Sequence, residues 1–194
     1  MSAEQASRGP AHFERLYEAD PDPWRFHTSE YERTKYRKTI EALGSRRFRS
    51  TFEVGCSIGV MTHLLAFCCD ALLAVDIIEQ PLKAARAACA EQPWVRFKQM
   101  QVPGEWPDGT FDLIVLSEVL YFLSPTDIAA LADRALTSLD PKGVVLLVNW
   151  RGHAGDPCSG EEAVAAFIDR TRSWLEPQAH YREIGYRLDL LARR

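Results

Sequence analysis

The stretch FEVGCSIG at Phe52–Gly59 sets two glycines four residues apart, directly behind a short apolar run. Asp76 closes the next apolar run, about 20 residues further on. Gly55 follows its strand at once, so backbone can approach a ligand with no Cβ in the way, and Gly59 opens the next helix. A carboxylate at the end of the second strand can accept hydrogen bonds from both hydroxyls of a ribose. The chemistry suggested is nucleoside binding. Two such glycines alone make only a tight turn; the order strand, loop, helix, strand, acid favours a ligand.

Which nucleoside compound depends on Ser57 and on what precedes the loop. A pyrophosphate needs close glycine contact in the middle of the loop, against the helix N-terminus. Ser57 in that place suits a ligand without pyrophosphate, such as S-adenosylmethionine. About fifty residues stand before the first strand, whereas dinucleotide enzymes generally begin with it. A P-loop is excluded, since G-x-x-x-x-G-K-[ST] does not occur.

The elements that must position these residues follow from periodicity. Residues 12–43 read as two helical pieces broken at ADPDPW, with Phe13, Leu16 and Tyr17 on one face of the first. Thr28-Ser29-Glu30 can cap the second, where Tyr31 and Lys35 share a side that is exposed by default. Short apolar strands then alternate with helices: 51–54, helix 58–68, 71–77, helix 80–90, 94–99, 111–117, helix 126–139 and 143–150. Strands so uniformly apolar are buried on both faces of a mostly parallel sheet. A helix over 161–174 and a hairpin over 180–193, hinged at Gly185, complete the chain.

DPWRF, FEVGCSIG, AVDI, FDLIVLSEVLYFL and the terminal hairpin resemble class I S-adenosylmethionine-dependent methyltransferases, and within them the rhizobial nodulation protein S branch. That branch comprises N-methyltransferases of a deacetylated chitooligosaccharide. The resemblance implies a single domain over 1–194: a helical lid at 1–47 and a Rossmann-like core at 48–194. The expected core is a doubly wound, mostly parallel seven-stranded sheet ending in an antiparallel hairpin. It also implies that Trp24 and Arg25 close over the donor, Arg25 on its carboxylate. A guanidinium suits a carboxylate bidentately, and an indole keeps water from a sulfonium. Asp76 is expected on the ribose, Ile77 on the adenine face and Gln101, with Val102, on the adenine amino edge. The family often carries an acid where Gln101 stands. Glu53, Gly55, Cys56, Gly59 and Ser117 complete the expected donor site; Glu53 either orients the loop and the donor ammonium or caps amides.

Acceptor-side chemistry is expected at Glu118, Tyr121 and His153. A carboxylate there can orient an amine and take its proton; Glu118 could instead cap a helix or bind loop amides. Methyl transfer from a sulfonium asks mainly for desolvation and alignment, so no nucleophile triad is required. The acceptor is expected to be a small molecule, an amine such as a deacetylated amino sugar. O-methylation of a hydroxyl, with His153 as base, stays open, as does a protein that binds the donor without chemistry. A dinucleotide oxidoreductase is disfavoured by Ser57 and the long preamble.

Bulk properties fit this frame. The 194 residues carry 46% apolar and 26% charged residues and a net charge of −4, so no nucleic-acid surface is expected. No apolar run reaches the roughly 18 residues of a membrane span, and the N-terminus has no signal-peptide core. Five cysteines without C-x-x-C spacing, and histidines without shared spacing, point to a reduced cytoplasm and no metal. A monomer or small homo-oligomer is expected.

Overall fold

A computed structural model of the chain describes residues 5–194, which divide into two compact units. The first spans Gly9–Met100. Its helix α1 (Pro10–Ala19) starts on a proline, whose missing N–H costs nothing in a first turn. The ADPDPW break is held by the Asp22 carboxylate, which accepts the amides of Phe26 at 2.8 Å and His27 at 3.1 Å. Helix α2 (Glu30–Leu43) begins behind Ser29, whose hydroxyl accepts the Glu32 amide, and ends at Gly44 with φ 65°. Both helices fall in the same compact unit as the strands that follow them.

Strand β1 (Thr51–Val54) is buried throughout and pairs in parallel with β2 (Leu72–Asp76), Val54 opposite Val75. Between them, helix α3 covers only Val60–Leu65 and tightens to a 3-10 turn at Ala66–Cys68. The helix starts later than expected because Gly59 is left-handed, with φ 81°. Helix α4 (Glu79–Ala88) leads to β3 (Val95–Gln99), which pairs in parallel with β2, Asp76 opposite Gln99. β3 is not buried on both faces as its apolar neighbours suggested. It is the outer strand of the order β3-β2-β1, and its Arg96, Lys98 and Gln99 are exposed.

The second unit joins residues 5–8 to Gln101–Arg194. Strand β4 (Phe111–Ser117) and β5 (Leu139–Trp150) are parallel, with Ser117 opposite Val148. Helix α5 (Pro125–Ser138) between them is capped by Ser124, and α6 (Gly160–Thr171) by a reciprocal Ser159–Glu162 box. β6 (Leu175–Arg182) and β7 (Tyr186–Arg193) form the antiparallel hairpin, with β7 also antiparallel to β5. β6 begins earlier than its pattern suggested: it is the outer strand of β4-β5-β7-β6 and mostly exposed, so no apolar alternation marks its start. Seven strands in mostly parallel pairing with a C-terminal antiparallel hairpin is the α/β class the sequence indicated.

Candidate active site

Three of the five residues Gly55–Gly59 turn left-handed: Gly55 at φ 77°, Ser57 at 49° and Gly59 at 81°. The amides of Gly55 and Cys56 both donate to the Val75 carbonyl, at 2.8 and 3.0 Å, fixing the loop to the end of β2. Gly59 lets α4 pack against the loop; a Cβ there would lie 2.8 Å from both Cα and Cβ of Ala85. Asp76 sits buried at the end of β2. Its Oδ2 accepts the Ser57 amide at 2.8 Å and its Oδ1 the Ile78 amide at 3.0 Å. Burial pushes the Asp76 carboxyl up to about 6, against the pull of the Ile78, Ser57 and Ile77 amides.

Glu53, on β1, is wholly enclosed. Burial raises its carboxyl to about 7, with Thr62 opposing and Asp76 adding to the rise, and its Oε2 has no hydrogen-bond partner. A buried carboxylate with a spare acceptor favours a cation or a donor beside it. Near the loop, Tyr17, Ile58 and Ile78 form an apolar cluster against which Phe13, Trp24, Phe26, Val60 and Ile77 pack. Trp24 stacks on Phe26 and meets the Tyr17 ring edge-on at 5.7 Å. Arg25 is exposed but held left-handed, at φ 58°.

Two features of this unit were not legible in the sequence. The Tyr17 hydroxyl lies 2.6 Å from Ser57 Oγ; only the apolar spacing of Tyr17 was readable. Lys35, expected on an exposed face, is 2% exposed, bonded to Glu32 at 2.9 Å and 5.3 Å over the Tyr31 ring. A neighbouring carboxylate and two tyrosine rings make that burial tolerable for an ammonium.

In the second unit, Gln101 is an exposed turn residue whose amide donates to Glu105 at 2.6 Å, with half-buried Val102 next to it. Ser117 ends β4 and Glu118 follows it, both half-buried, and Glu118 is left-handed at φ 57°. Glu118 Oε2 accepts the Tyr121 hydroxyl at 3.0 Å and the amide of Trp150, at the end of β5, at 2.8 Å. Buried Asn149 accepts the Leu120 amide at 3.3 Å and steadies the turn that carries Tyr121. Trp150 went unnoticed in the sequence. Its ring lies edge-on to Tyr121 and close against Gly152, where a Cβ would come within 1.9 Å of it. His153 is exposed. No helix among the described residues is long and apolar enough to cross a membrane, and no group of three His, Cys, Asp or Glu there could hold a metal.

Residues 11–151 match the family model of Nodulation protein S (NodS). The chain belongs to the nodulation protein S family. It is 31% identical over 166 residues to nodulation protein S of Bradyrhizobium diazoefficiens, covering 80% of this chain and 77% of that protein. Among solved structures, N-methyltransferase NodS of Bradyrhizobium japonicum WM9, in complex with S-adenosyl-L-homocysteine, shares the fold at TM-score 0.82 and 21% identity, over 94% and 97% of the two chains. A candidate methyltransferase from Pseudomonas syringae is 35% identical, with TM-score 0.75, over 85% of this chain and 100% of its own. The NodS match ends just after Trp150, so Glu118 and Tyr121 fall within it and His153 outside.

Proposed function

We propose that this S-adenosylmethionine-dependent methyltransferase methylates the amine of a small molecule, a deacetylated amino sugar being the first class to test. The observation that carries the donor is Asp76: buried at a strand end, it accepts one amide on each oxygen and keeps lone pairs for a ribose diol. The left-handed loop beside it brings the backbone of Gly55 and Cys56 toward a ligand. Glu53 supports the same reading, because its unpartnered oxygen suits a ligand ammonium directly or through water.

In this reading Ile77 and Trp24 cover apolar parts of the donor and Arg25 takes its carboxylate. Bound S-adenosylmethionine would supply an already activated methyl group. The protein then has to exclude water, orient the acceptor and receive a proton. Glu118 is our candidate for the last task, with Tyr121 fixing its carboxylate. A hydroxyl acceptor would demand a base such as His153, and the exposure of that ring disfavours this second reading. The net charge of −4 supports a small-molecule partner over nucleic acid, and we place the protein in the cytoplasm.

Calorimetry with S-adenosylhomocysteine and with NAD tests the donor; binding of NAD alone would overturn it. Labelled S-adenosylmethionine offered with glucosamine oligomers, simple amines and phenols tests the acceptor. Label on phenols but not on amines would replace N- by O-methylation.

A further inference from the structure

Ser57 is one of three non-glycine residues with left-handed φ among those described, and it occupies the middle of the donor loop. That conformation costs a residue with a Cβ roughly 1–2 kcal/mol, so something must hold it. Two bonds do. Its amide donates to Asp76 at 2.8 Å, and its hydroxyl meets the Tyr17 hydroxyl at 2.6 Å, across forty residues of sequence.

Tyr17 is itself tied at three points. Its side chain is 3% exposed and bonded to Ser57, its ring meets Trp24 edge-on at 5.7 Å, and its carbonyl accepts Gln80 Nε2 at 3.0 Å. Tyr17 thus joins α1 to the loop through its hydroxyl, to the ADPDPW break through its ring and to the first turn of α4 through its carbonyl. Burial, with Asp76 close by, keeps the Tyr17 phenol protonated far beyond its ordinary range, so it can always donate to Ser57. A glycine at position 57 would relieve the strain but remove the loop's side-chain hydrogen bond to α1.

We propose that Tyr17 is a positioning residue for the donor: through Ser57 Oγ it latches α1 onto the loop and holds the Ser57 amide on Asp76. Seating of α1 and binding of the donor then favour each other. The inference rests on the donor reading above but concerns residues that reading does not use.

Calorimetry with S-adenosylhomocysteine on wild type, Tyr17→Phe, Ser57→Ala and the double variant tests it, with hydrogen exchange of the Gly55–Gly59 amides in the ligand-free proteins. Each single variant should weaken binding about five- to tenfold, the scale of one lost hydrogen bond. The double variant should be no weaker than either single, because one bond is removed once. Exchange at the loop should quicken in both singles. A merely structural tyrosine would lower thermal stability and leave affinity alone, and that result overturns the proposal, as would two losses that add. If Tyr17→Phe does not fold, Ser57→Ala decides. If wild type does not bind S-adenosylhomocysteine, the donor reading has failed, and the latch stands or falls on exchange alone.

Discussion

Glu118 and Tyr121 are bonded carboxylate to hydroxyl at 3.0 Å, across a turn that starts from a left-handed Glu118 backbone. The Trp150 amide, 2.8 Å from the same oxygen, fixes the carboxylate from the neighbouring strand. Backbone strain at a strand end, held by two donors to one oxygen, is an arrangement found at functional sites. It also ties β4 to β5, so Glu118 has a structural task whatever else it does.

Asp76→Asn tests donor binding. The amide keeps the size and one acceptor oxygen but removes the charge behind two bonds worth roughly 1.5–3 kcal/mol each before compensation. Affinity for S-adenosylhomocysteine by calorimetry should fall at least about tenfold, or about 1.4 kcal/mol. Thermal stability should fall as well, because the new NH2 faces one of the two amides, Ser57 and Ile78, that the carboxylate oxygens accept.

Stability should rise as pH falls from about 8 to 5.5. Glu53 and Asp76 have folded-state values raised from 4.5 to about 7 and from 3.8 to about 6, both chiefly by burial. The folded protein therefore holds these protons more tightly than the unfolded chain. The stability they contribute is full below the unfolded values and is lost as pH rises through about 6 and 7. Glu161 acts elsewhere on the scale: partial burial pushes it up, but Arg151, Arg182 and Arg187 bring it down to about 2, so its contribution fades only in acid. Melting curves over this range check the sign, and Glu53→Gln should flatten the upper half of the slope.

The glycine loop and the acidic strand end were far more legible than the rest because their signals are local. Gly55, Gly59 and Asp76 act through backbone shape and strand position, which spacing records. Ser29 lies beside the amide region it caps. Tyr17 and Ser57 meet only after α1 packs, and no spacing rule reaches across forty residues. Lys35 looked exposed because its protection comes from Glu32 and two tyrosines rather than from an apolar stretch. In WRGHAGDPCSGEE no spacing marks the glycines. Gly152 makes room for the Trp150 ring and Gly160 for its carbonyl, where a Cβ would come within 1.6 Å.

Gly59→Ala tests the loop's packing. The new methyl would meet the Ala85 backbone at 2.8 Å, at a φ of 81° that alanine rarely adopts. A loss of about 1–3 kcal/mol in denaturant unfolding is expected. Gly104→Ala, whose nearest contact would be an ordinary 3.7 Å, serves as control and should change stability by less than about 0.5 kcal/mol. Equal effects at the two sites would mean that α4 does not press on the loop.

Glu118→Gln and Tyr121→Phe together decide what the opening pair is for. An amine must be neutral to attack, and a carboxylate can stabilise the arriving ammonium and then take its proton. Glutamine keeps an oxygen for the Trp150 amide and the Tyr121 hydroxyl, so folding and S-adenosylhomocysteine affinity should hardly change. Turnover on a glucosamine oligomer should fall by roughly 10²-fold or more. The deficit should shrink as pH rises and solvent supplies the free amine. Tyr121→Phe removes only the group that orients the carboxylate, so it should lower turnover less and leave the pH dependence in place. If Glu118→Gln instead lowers the melting temperature while turnover and its pH profile match wild type, the carboxylate serves β4 and β5 alone. Acceptor chemistry would then have to be sought around Trp150, whose ring is edge-on to Tyr121 at 6.2 Å.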